Sequence, residues 1–453
     1  MKKSGGYAFI NCTIFNGILV SDVIHNGIIL VKFQMNKKNN FGIIENVSTI
    51  NNTEIPDNYE IIDLNNKFVI PGLINAHAHL TGDGKPRKLS SKSEKTIKRL
   101  LWIARRWIGK KLIQYMMRKN AKNALNAGIT TIRALGDPYF YDLEVRDKIN
   151  KNKFVGPRLL VAGKGLTITG GHGWVMSHIV DSPWEARKAV RENVKNGVDV
   201  IKLIATGGVM DSRKIGEAGR PQLTVEEITA ACDEAHRAGL RVAAHAESTQ
   251  GIKESLLGGV DTIEHGSDLD DECIKLFKNN PRSLLGYSSL IPTLSAPINI
   301  CKWGYEQLKI TEIQQKNATL IKNEMINGFK KALQNGISIG VGSDATVTFV
   351  THYDFWKELD FMSKIGNLSP KEVLHLATLG NARILGIENE TGSIEPGKSA
   401  DFVVLNQDPL SDLSTLAQPF MVVIRGKLIK KPKIKKIKII ERIKRKEHNM
   451  NND

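Results

Sequence analysis

The residues best suited to chemistry are His77 and His79, which one alanine separates in the run "PGLINAHAHL" (71–80). In a β-strand, residues i and i+2 point to the same face, so both imidazoles would aim at one point. Two converging neutral imidazoles are a common way to bind a transition metal. The alternative is a histidine pair in a turn that hydrogen-bonds to the backbone, and this motif alone does not exclude it.

Other reactive side chains stand at the ends of further apolar runs. His172 lies in the glycine-rich stretch "TGGHGW", His245 ends "RVAAHAE", His265 ends "VDTIEHG" and Asp344 ends "ISIGVGSDA". If these runs are parallel strands of one barrel, their carboxyl ends meet at one face, where barrel enzymes carry their catalytic groups. We therefore expect these side chains to lie close together.

Lys202 is unusual because it lies inside the apolar run "VDVIKLIA". A buried ammonium costs several kcal/mol unless it is paired or neutral. One interpretation pairs the lysine with an acid such as Asp199 or Asp211, or lets it extend out of the strand end. The other converts it into a carbamate with CO₂, an anion that bridges two metal ions.

The elements that must position these residues alternate between apolar strands and amphipathic helices. Two of the helices have clear N-caps, Ser182 followed by Pro183, and Thr224 with Glu227 as a capping box. Eight strand–helix units over about 300 residues predict an α/β fold, a (β/α)8 TIM barrel. The predicted strands are 68–79, 129–137, 158–165, 198–208, 241–247, 260–266, 283–294 and 337–345.

Both ends of the chain are rich in short β-strands and lack long helices. Neither end offers many strands by itself, so we predict one small β-sandwich built from both termini. The expected division is an N-terminal part of the sandwich (1–67), a metal-dependent catalytic barrel (68–388), a C-terminal part of the sandwich (389–429) and a basic tail (430–453).

The net charge of +17 on 453 residues is concentrated in two segments. Residues 82–119 contain 13 Lys/Arg against two acids, and residues 425–453 contain 12 against three. The rest of the chain is near neutral, which argues against a protein that binds nucleic acid over its whole surface. The four cysteines form no CxxC motif, and no apolar run approaches the length of a membrane span, so we expect a cytoplasmic protein with reduced thiols.

The motifs resemble those of the amidohydrolase superfamily, in its binuclear branch with a carboxylated lysine. "PGLINAHAHL" resembles the strand-1 motif of that family, "VIKLIATGG" its lysine motif, and "AAHAE" and "IEHG" its two later histidine motifs. "GSDA" resembles its aspartate motif, and "GSIEPGKSADFVVL" its return into the sandwich. The six motifs follow one another in the family's order, each at a strand end, and the resemblance extends over nearly the whole chain.

The resemblance implies a site with two divalent metal ions, for which we expect zinc. His77, His79, Lys202 and Asp344 would bind one ion, and Lys202, His245 and His265 the other, with a CO₂-derived carbamate on Lys202. A hydroxide bridging the metals would attack the carbonyl, Asp344 would move its proton to the leaving nitrogen, and His172 would contact the substrate carbonyl. His352, in "THYDFWKEL", is a further candidate for substrate binding or an ordinary helix start.

Within the family, "GGHG", "KLIATGGV" and "RPQLTVEEI" most resemble the Xaa-Pro dipeptidase-like, imidazolonepropionase-related group. This implies an amidohydrolase that cleaves C–N bonds in dipeptides or N-acyl amino acids, with a homo-oligomeric assembly. Glu247 departs from the tyrosine that some carboxypeptidase members carry two residues after the strand-5 histidine.

Three other functions stay open at this point. Cyclic amides, lactones or phosphotriesters could be hydrolysed at the same two-metal site. A mononuclear deaminase would carry an acid where this chain has Ser248, and would lack Lys202. A non-catalytic scaffold would have lost ligands that this chain retains.

The two basic segments have no assigned role. Residues 82–119 contain Trp102 and Trp107 and would form a lid, a cationic funnel, a membrane-surface helix or a solvated helix. The tail 430–453 would tether the enzyme to an anionic surface such as lipid or RNA, or be solvated.

Overall fold

The computed structural model describes residues 5–36, 39–86, 94–303, 307 and 310–450. The basic segments identified above extend into residues 87–93 and 451–453, which lie outside the described part of the chain. Within that part, no helix is both long and apolar enough to cross a membrane.

The predicted (β/α)8 barrel is confirmed. Its first strands are β5 (Leu73–Ala78), β6 (Ile129–Ala134) and a third strand in two pieces, β7 (Arg158–Val161) and β8 (Gly165–Thr167); β9 (Ser177–Ile179) adds outside β8. The others are β10 (Val200–Ile204), β11 (Arg241–Ala246), β12 (Thr262–His265), β13 (Ser289–Ile291) and β14 (Ser338–Ile339).

Backbone hydrogen bonds close the barrel at both of its seams. The Ala76 amide donates to the Val341 carbonyl, and the Asp344 amide donates to the His77 carbonyl, which joins the last strand to the first. The Asp199 amide donates to the Val161 carbonyl, which joins β7 to β10. Each predicted strand coincides with one of the eight barrel strands, although the first begins later than residue 68.

Helices surround the barrel and connect its strands. They are α1 (Glu94–Arg105), α2 (Trp107–Asn126), α3 (Tyr141–Asn150), α4 (Pro183–Asn196), α5 (Val225–Arg237), α6 (Thr249–Gly258), α7 (Asp271–Lys278), α8 (Ser295–Trp303), α9 (Glu312–Gln334), α10 (Trp356–Gly366), α11 (Pro370–His375), α12 (Asn381–Leu385) and α13 (Lys438–Met450). The predicted caps are present, since Ser182 accepts from the Glu185 amide and Thr224 with Glu227 forms a capping box.

Both termini build one seven-stranded sheet beside the barrel, as predicted. In spatial order its strands are β17 (Lys427–Ile429), β16 (Met421–Ile424), β15 (Phe402–Leu405), β4 (Tyr59–Pro71), β1 (Gly6–Ile14), β2 (Ile24–Asn36) and β3 (Asn39–Thr49). The sheet curls over a common apolar core, and Ile43 of β3 bridges back to Ser399.

The boundary expected at residues 67/68 falls inside β4. Phe68 to Pro71 pair with β15 in the terminal sheet, and the first barrel strand begins at Leu73. Residues 68–74 are apolar throughout, so only their pairing partners divide this run between the two sheets.

The basic tail is not a free, solvated extension, which corrects one of the two expectations for it. Through Met450 it forms a segment that crosses the end of α2, followed by the helix α13. The Asn126 side chain donates to the Lys433 carbonyl, the Tyr353 hydroxyl accepts from the Ile437 amide, and Ile440 is fully buried. Docking onto the barrel therefore orders this charged segment.

Candidate metal-binding active site

A pocket with about 880 Å³ of empty space, including its open mouth, lies at the carboxyl ends of the barrel strands. The structure brings seven of the eight predicted site residues to this pocket. They are His77, His79, His172, Lys202, His245, His265 and Asp344.

His352 does not line this pocket, contrary to the expectation that it would bind substrate. Its side chain is buried, and its Nε2 lies 3.0 Å from the Gly82 carbonyl oxygen. Burial lowers the pKa of this imidazole to about 4, so the ring is neutral and donates to that carbonyl. The contact holds the start of the loop after β5 against the loop after β14.

The first group around the pocket consists of His77, His79 and Asp344. Their donor atoms lie within 4.8 Å of one another, with Asp344 Oδ1 at 3.4 Å from His77 Nε2 and 3.3 Å from His79 Nε2. No hydrogen bond reaches this oxygen from the described residues. Three donor atoms around one point, with no hydrogen bond between them, fit a shared cation.

The far side of each of these two rings is fixed by the barrel. His77 Nδ1 donates to Glu264 over 2.7 Å, and His79 Nδ1 donates to the Gly136 carbonyl over 2.9 Å. Each ring therefore turns its Nε2 toward the pocket and Asp344, an orientation that is usual for histidine ligands.

Glu264 and Arg133 form a buried ion pair behind His77 that the sequence analysis missed. Arg133 Nη2 lies 2.7 Å from Glu264 Oε1, and both side chains are almost fully buried. Burial raises the pKa of Glu264, but Arg133 and His77 outweigh it and hold this pKa at about 2. The signal was present, because Arg133 is the one charged residue in the apolar run 129–135.

The second group consists of His245, Glu247 and His265, whose donor atoms also lie within 4.8 Å of one another. Burial and neighbouring cations lower the pKa of both histidines well below the ordinary value, so both rings are neutral. His245 Nε2 is fixed by the Gly207 carbonyl at 2.7 Å, and His265 Nδ1 by the Thr293 hydroxyl at 2.7 Å. Their remaining ring nitrogens are available for a ligand.

Glu247 was noted in the sequence only as a departure from a pattern. Its carboxylate lines the pocket, and its Oε2 has no hydrogen-bond partner among the described residues. Burial, reinforced by Asp344, raises the pKa of this carboxyl to about 8.

Lys202, on the middle of β10, lines the same pocket as the two groups and interacts electrostatically with Asp344 of the first and Glu247 of the second. Its side chain is 2% exposed, and no hydrogen-bond partner among the described residues reaches its Nζ. The two acids considered as partners are engaged elsewhere, Asp199 with Arg146 and Asp211 with His172. Burial lowers the pKa of this amine to about 8, although Glu264 and Asp344 oppose the shift.

Two of the strand ends that present these ligands have strained backbone. His265 has φ 71° and Asp344 has φ 55°, in the left-handed region that side chains other than glycine rarely adopt. Such strain persists only where the surrounding structure imposes it, and it recurs at functional sites.

His172 reaches the pocket from the loop after β8 and lies next to His245, with 4.9 Å between the ring centroids. Its Nδ1 donates to Asp211, which leaves Nε2 for a ligand. A Cβ atom at position 208 would lie 2.5 Å from this ring, so only glycine fits there. The second glycine of "IATGGV" therefore makes room for the imidazole.

The rest of the pocket wall is apolar. It is contributed by helices α8 and α9 and by the loops after β8 and β10, and it includes Met176, Ile204, Met210, Ile300, Ile321 and Met325. Such a wall excludes water from the polar groups and offers space for an apolar part of a substrate.

Comparison with known proteins agrees with this geometry. Residues 68–429 match the sequence pattern of the Amidohydrolase family. The ochratoxinase of Aspergillus niger is 27% identical over 342 residues, which are 69% of this chain and 67% of that protein.

Two solved structures resemble nearly the whole chain. A candidate prolidase from Bifidobacterium longum is 39% identical, with a TM-score of 0.84 over 98% of this chain and 99% of that one. A Xaa-Pro dipeptidase with methionine bound in its active site is 28% identical, with a TM-score of 0.79 over 94% of this chain and 100% of that one.

Proposed function

This chain belongs to the amidohydrolase family, and from that premise we propose that it is a metal-dependent hydrolase that cleaves the C–N bond of dipeptides or N-acyl amino acids. The observation that carries the proposal is the pair of ligand groups that line one pocket together with the unpartnered Lys202 amine. The similarity to a Xaa-Pro dipeptidase supports the substrate class.

The donor set suits two divalent cations, for which we propose zinc. His77, His79 and Asp344 would hold one ion, and His245 and His265 the other. Bound there, the two ions would lower the pKa of a water molecule and polarise the scissile carbonyl. Imidazole and carboxylate ligands match the preference of zinc.

We further propose that Lys202 is carboxylated and contributes to both metal positions. A neutral amine attacks CO₂, forms an N–C bond and releases one proton, which yields a carbamate anion. Burial favours the neutral amine, as the lowered pKa of about 8 indicates. The lack of a hydrogen-bond partner at Nζ supports the proposal, because the carbamate would gain two oxygen atoms that can bind cations.

Asp344 and His172 have complementary roles in the proposed reaction. Burial raises the pKa of Asp344, but His77 and His79 outweigh it and hold this pKa well below its ordinary value. The carboxylate is therefore ionised and can accept the proton of the attacking water and return it to the leaving nitrogen. As an imidazolium paired with Asp211 through Nδ1, His172 would donate from Nε2 to the substrate oxygen as negative charge develops there.

Ser248 stands where a deaminase of this fold would carry an acid, and here it has a structural role. Ser248 caps α6, since its hydroxyl accepts from the Gly251 amide over 3.1 Å. This observation favours amide hydrolysis over deamination.

The test is release of free amino acid from a library of dipeptides and N-acyl amino acids by the enzyme loaded with zinc and bicarbonate. We expect turnover of a subset, and loss of that turnover by more than about a thousandfold in Lys202→Ala, since the ligand that both metal positions would share is gone. The control is Lys195→Ala, an exposed lysine on α4, which should hydrolyse the same subset at the wild-type rate.

The outcome that contradicts the proposal is absence of turnover across the library with two metal ions measured per chain. The substrate would then belong to the cyclic amides, lactones or phosphotriesters that the same groups could attack.

A further inference from the structure

Helices α1 and α2 carry an exposed apolar surface that the proposed hydrolysis does not use. Solvent exposure of its large side chains is 57% for Trp102, 73% for Trp107, 72% for Ile108, 59% for Leu112 and 63% for Tyr115. Exposed apolar residues are common singly, but five within 14 consecutive residues, two of them tryptophans, indicate a contact surface. We refer to these five residues as the apolar face.

The spacing along α2 explains why this face is exposed. Ile108, Leu112 and Tyr115 are three or four residues apart, so they lie on one side of the helix. The opposite side buries Met117, Ala121 and Ala124 in the barrel core. One side thus holds the helix to the barrel, and the described residues leave the other uncovered.

Positive charge surrounds the apolar face. Between Glu94 and Asp137 the sequence contains no acidic residue, while residues 95–126 contain ten Lys/Arg. Of these, Arg99, Arg106, Lys111, Arg118 and Lys119 are exposed. The Arg106 guanidinium lies over the Trp102 ring at 4.2 Å, so charge and aromatic surface alternate at close range.

The second basic segment of the chain is held beside the first. The Lys435 amide donates to the Asn123 side chain over 2.7 Å, and the Asn126 side chain donates to the Lys433 carbonyl over 2.8 Å. Lys431, Lys433 and Lys436 are exposed. The two segments that make the protein basic therefore adjoin one another at the carboxyl end of α2.

The face lies at the same end of the barrel as the pocket. The Tyr139 hydroxyl donates to the Leu101 carbonyl and the Tyr141 hydroxyl to the Ala104 carbonyl, both over 3.2 Å. These tyrosines follow β6, so α1 rests on the loops that surround the pocket mouth. None of the exposed residues of the face lines the pocket.

We propose that the apolar face and the adjoining lysines and arginines bind the surface of an anionic lipid bilayer. Tryptophan, tyrosine and aliphatic side chains enter the headgroup region, and lysine and arginine pair with lipid phosphates. A second copy of this chain fits the same surface poorly, because a symmetric contact would place like charges opposite one another. A polynucleotide would match the charge but would leave the aliphatic residues exposed.

The test is co-sedimentation of the full chain with vesicles made of equal parts phosphatidylglycerol and phosphatidylcholine, beside vesicles of phosphatidylcholine alone. We expect binding to the anionic vesicles that weakens as salt is added. Replacing three apolar residues (Trp107→Ser, Ile108→Ser, Leu112→Ser) should lower partitioning about tenfold or more. Reversing two charges (Lys111→Glu, Lys119→Glu) should do the same.

Matched controls carry the same changes elsewhere on the surface. Ile61→Ser, Leu257→Ser and Leu320→Ser replace residues that are 56%, 39% and 45% exposed, and Lys195→Glu with Lys330→Glu reverses two exposed lysines. Both control variants should bind vesicles like the parent. Thermal unfolding of every variant identifies any that fail to fold.

Three results would overturn the proposal. They are no binding to anionic vesicles, equal binding by the face variants and the controls, and a face variant that changes the oligomeric state in light scattering while vesicle binding persists. Retention by polyuridylic acid without vesicle binding counts as the first of these. None of these readouts depends on hydrolytic activity.

Discussion

Three buried polar atoms around the pocket have no hydrogen-bond partner among the described residues: Lys202 Nζ, Glu247 Oε2 and Asp344 Oδ1. A buried polar atom without a partner costs about 1–3 kcal/mol, and more when it is charged. Three of them at one pocket therefore indicate a ligand that compensates all of them together. Divalent cations would compensate them, because the two carboxylate oxygens are metal-ligand atoms and a neutral or carboxylated Lys202 would provide another.

The prediction at this scale concerns Glu247, which lies among the donor atoms of His245 and His265. We expect Glu247→Gln to lower the affinity for one of two metal ions by about 10–100-fold, because the acidic group beside the His245 and His265 ligands is lost. The measurement is metal content per chain after dialysis against limiting zinc. Asp211→Asn, outside both groups, should keep the wild-type content, and two firmly held ions in Glu247→Gln would contradict the prediction.

The residues whose chemistry is visible in the sequence were predicted well, and those that support them were not. His77, His79, His245, His265 and Asp344 follow apolar runs, so their meeting is a consequence of barrel geometry. Glu264 and Arg133 come from different strands; Glu264 contacts His77, and Arg133 contacts Glu264. The local sequence does not indicate which residue Arg133 pairs with, although a lone arginine in an apolar strand indicates that it has a partner.

At the scale of the element, strand periodicity and helix caps located the barrel, and tertiary contacts determined the rest. The last helix, α13, is a clear case because its sequence is dominated by lysine and arginine and resembles a solvated tail. Ile440 nevertheless packs into the main core, and the Tyr353 hydroxyl bonds to the Ile437 amide and to Glu441. These contacts depend on a loop far away in the sequence, which local patterns do not report.

Ile440→Ala tests that docking. We expect a loss of about 2–4 kcal/mol in the stability of the docked helix, since a buried isoleucine is removed. Limited trypsin digestion should then cleave within residues 430–445 faster than in the parent. The neighbour Ile439 is 40% exposed, so Ile439→Ala should be cleaved at the parent rate. Equal digestion of both variants would show that α13 is not held by this contact.

At the scale of the whole molecule, the barrel and the terminal sheet are joined by a buried charged contact. Arg158 on β7 donates from Nη1 to Asp401 Oδ2 over 2.9 Å, and the Arg425 amide donates to Asp401 Oδ1 over 2.6 Å. Burial raises the pKa of Asp401, but Arg158 and these hydrogen bonds outweigh it and hold this pKa below its ordinary value. The contact makes the cohesion of the two sheets depend on pH.

The direction of this pH dependence follows from the lowered pKa of Asp401. The stabilisation by Asp401 is fully present above the ordinary carboxyl pKa of 3.8 and is lost as the pH falls through the lower value of the folded protein. We expect Asp401→Asn to reduce the free energy of unfolding by about 1.5–3 kcal/mol at neutral pH, because Arg158 loses its buried charged acceptor but keeps Glu390. Urea unfolding from pH 7 to pH 3 should show a smaller difference between variant and parent at the acid end. A difference that does not change with pH would contradict this account.

The pairing of β4 with β15, and of β5 with the residues after β14, has a consequence for how the protein is made. Each sheet contains one strand from the first part of the chain and a neighbour that leaves the ribosome much later. Leu73–Ala78 thus keeps an open, apolar edge until residues 338–345 have emerged, and β4 waits for residues 402–405. Open strand edges of this kind pair with other chains. The nascent polypeptide therefore passes through a long interval in which both strand edges are open to mispairing, and neither sheet can be completed before residues 338–345 and 402–405 have emerged.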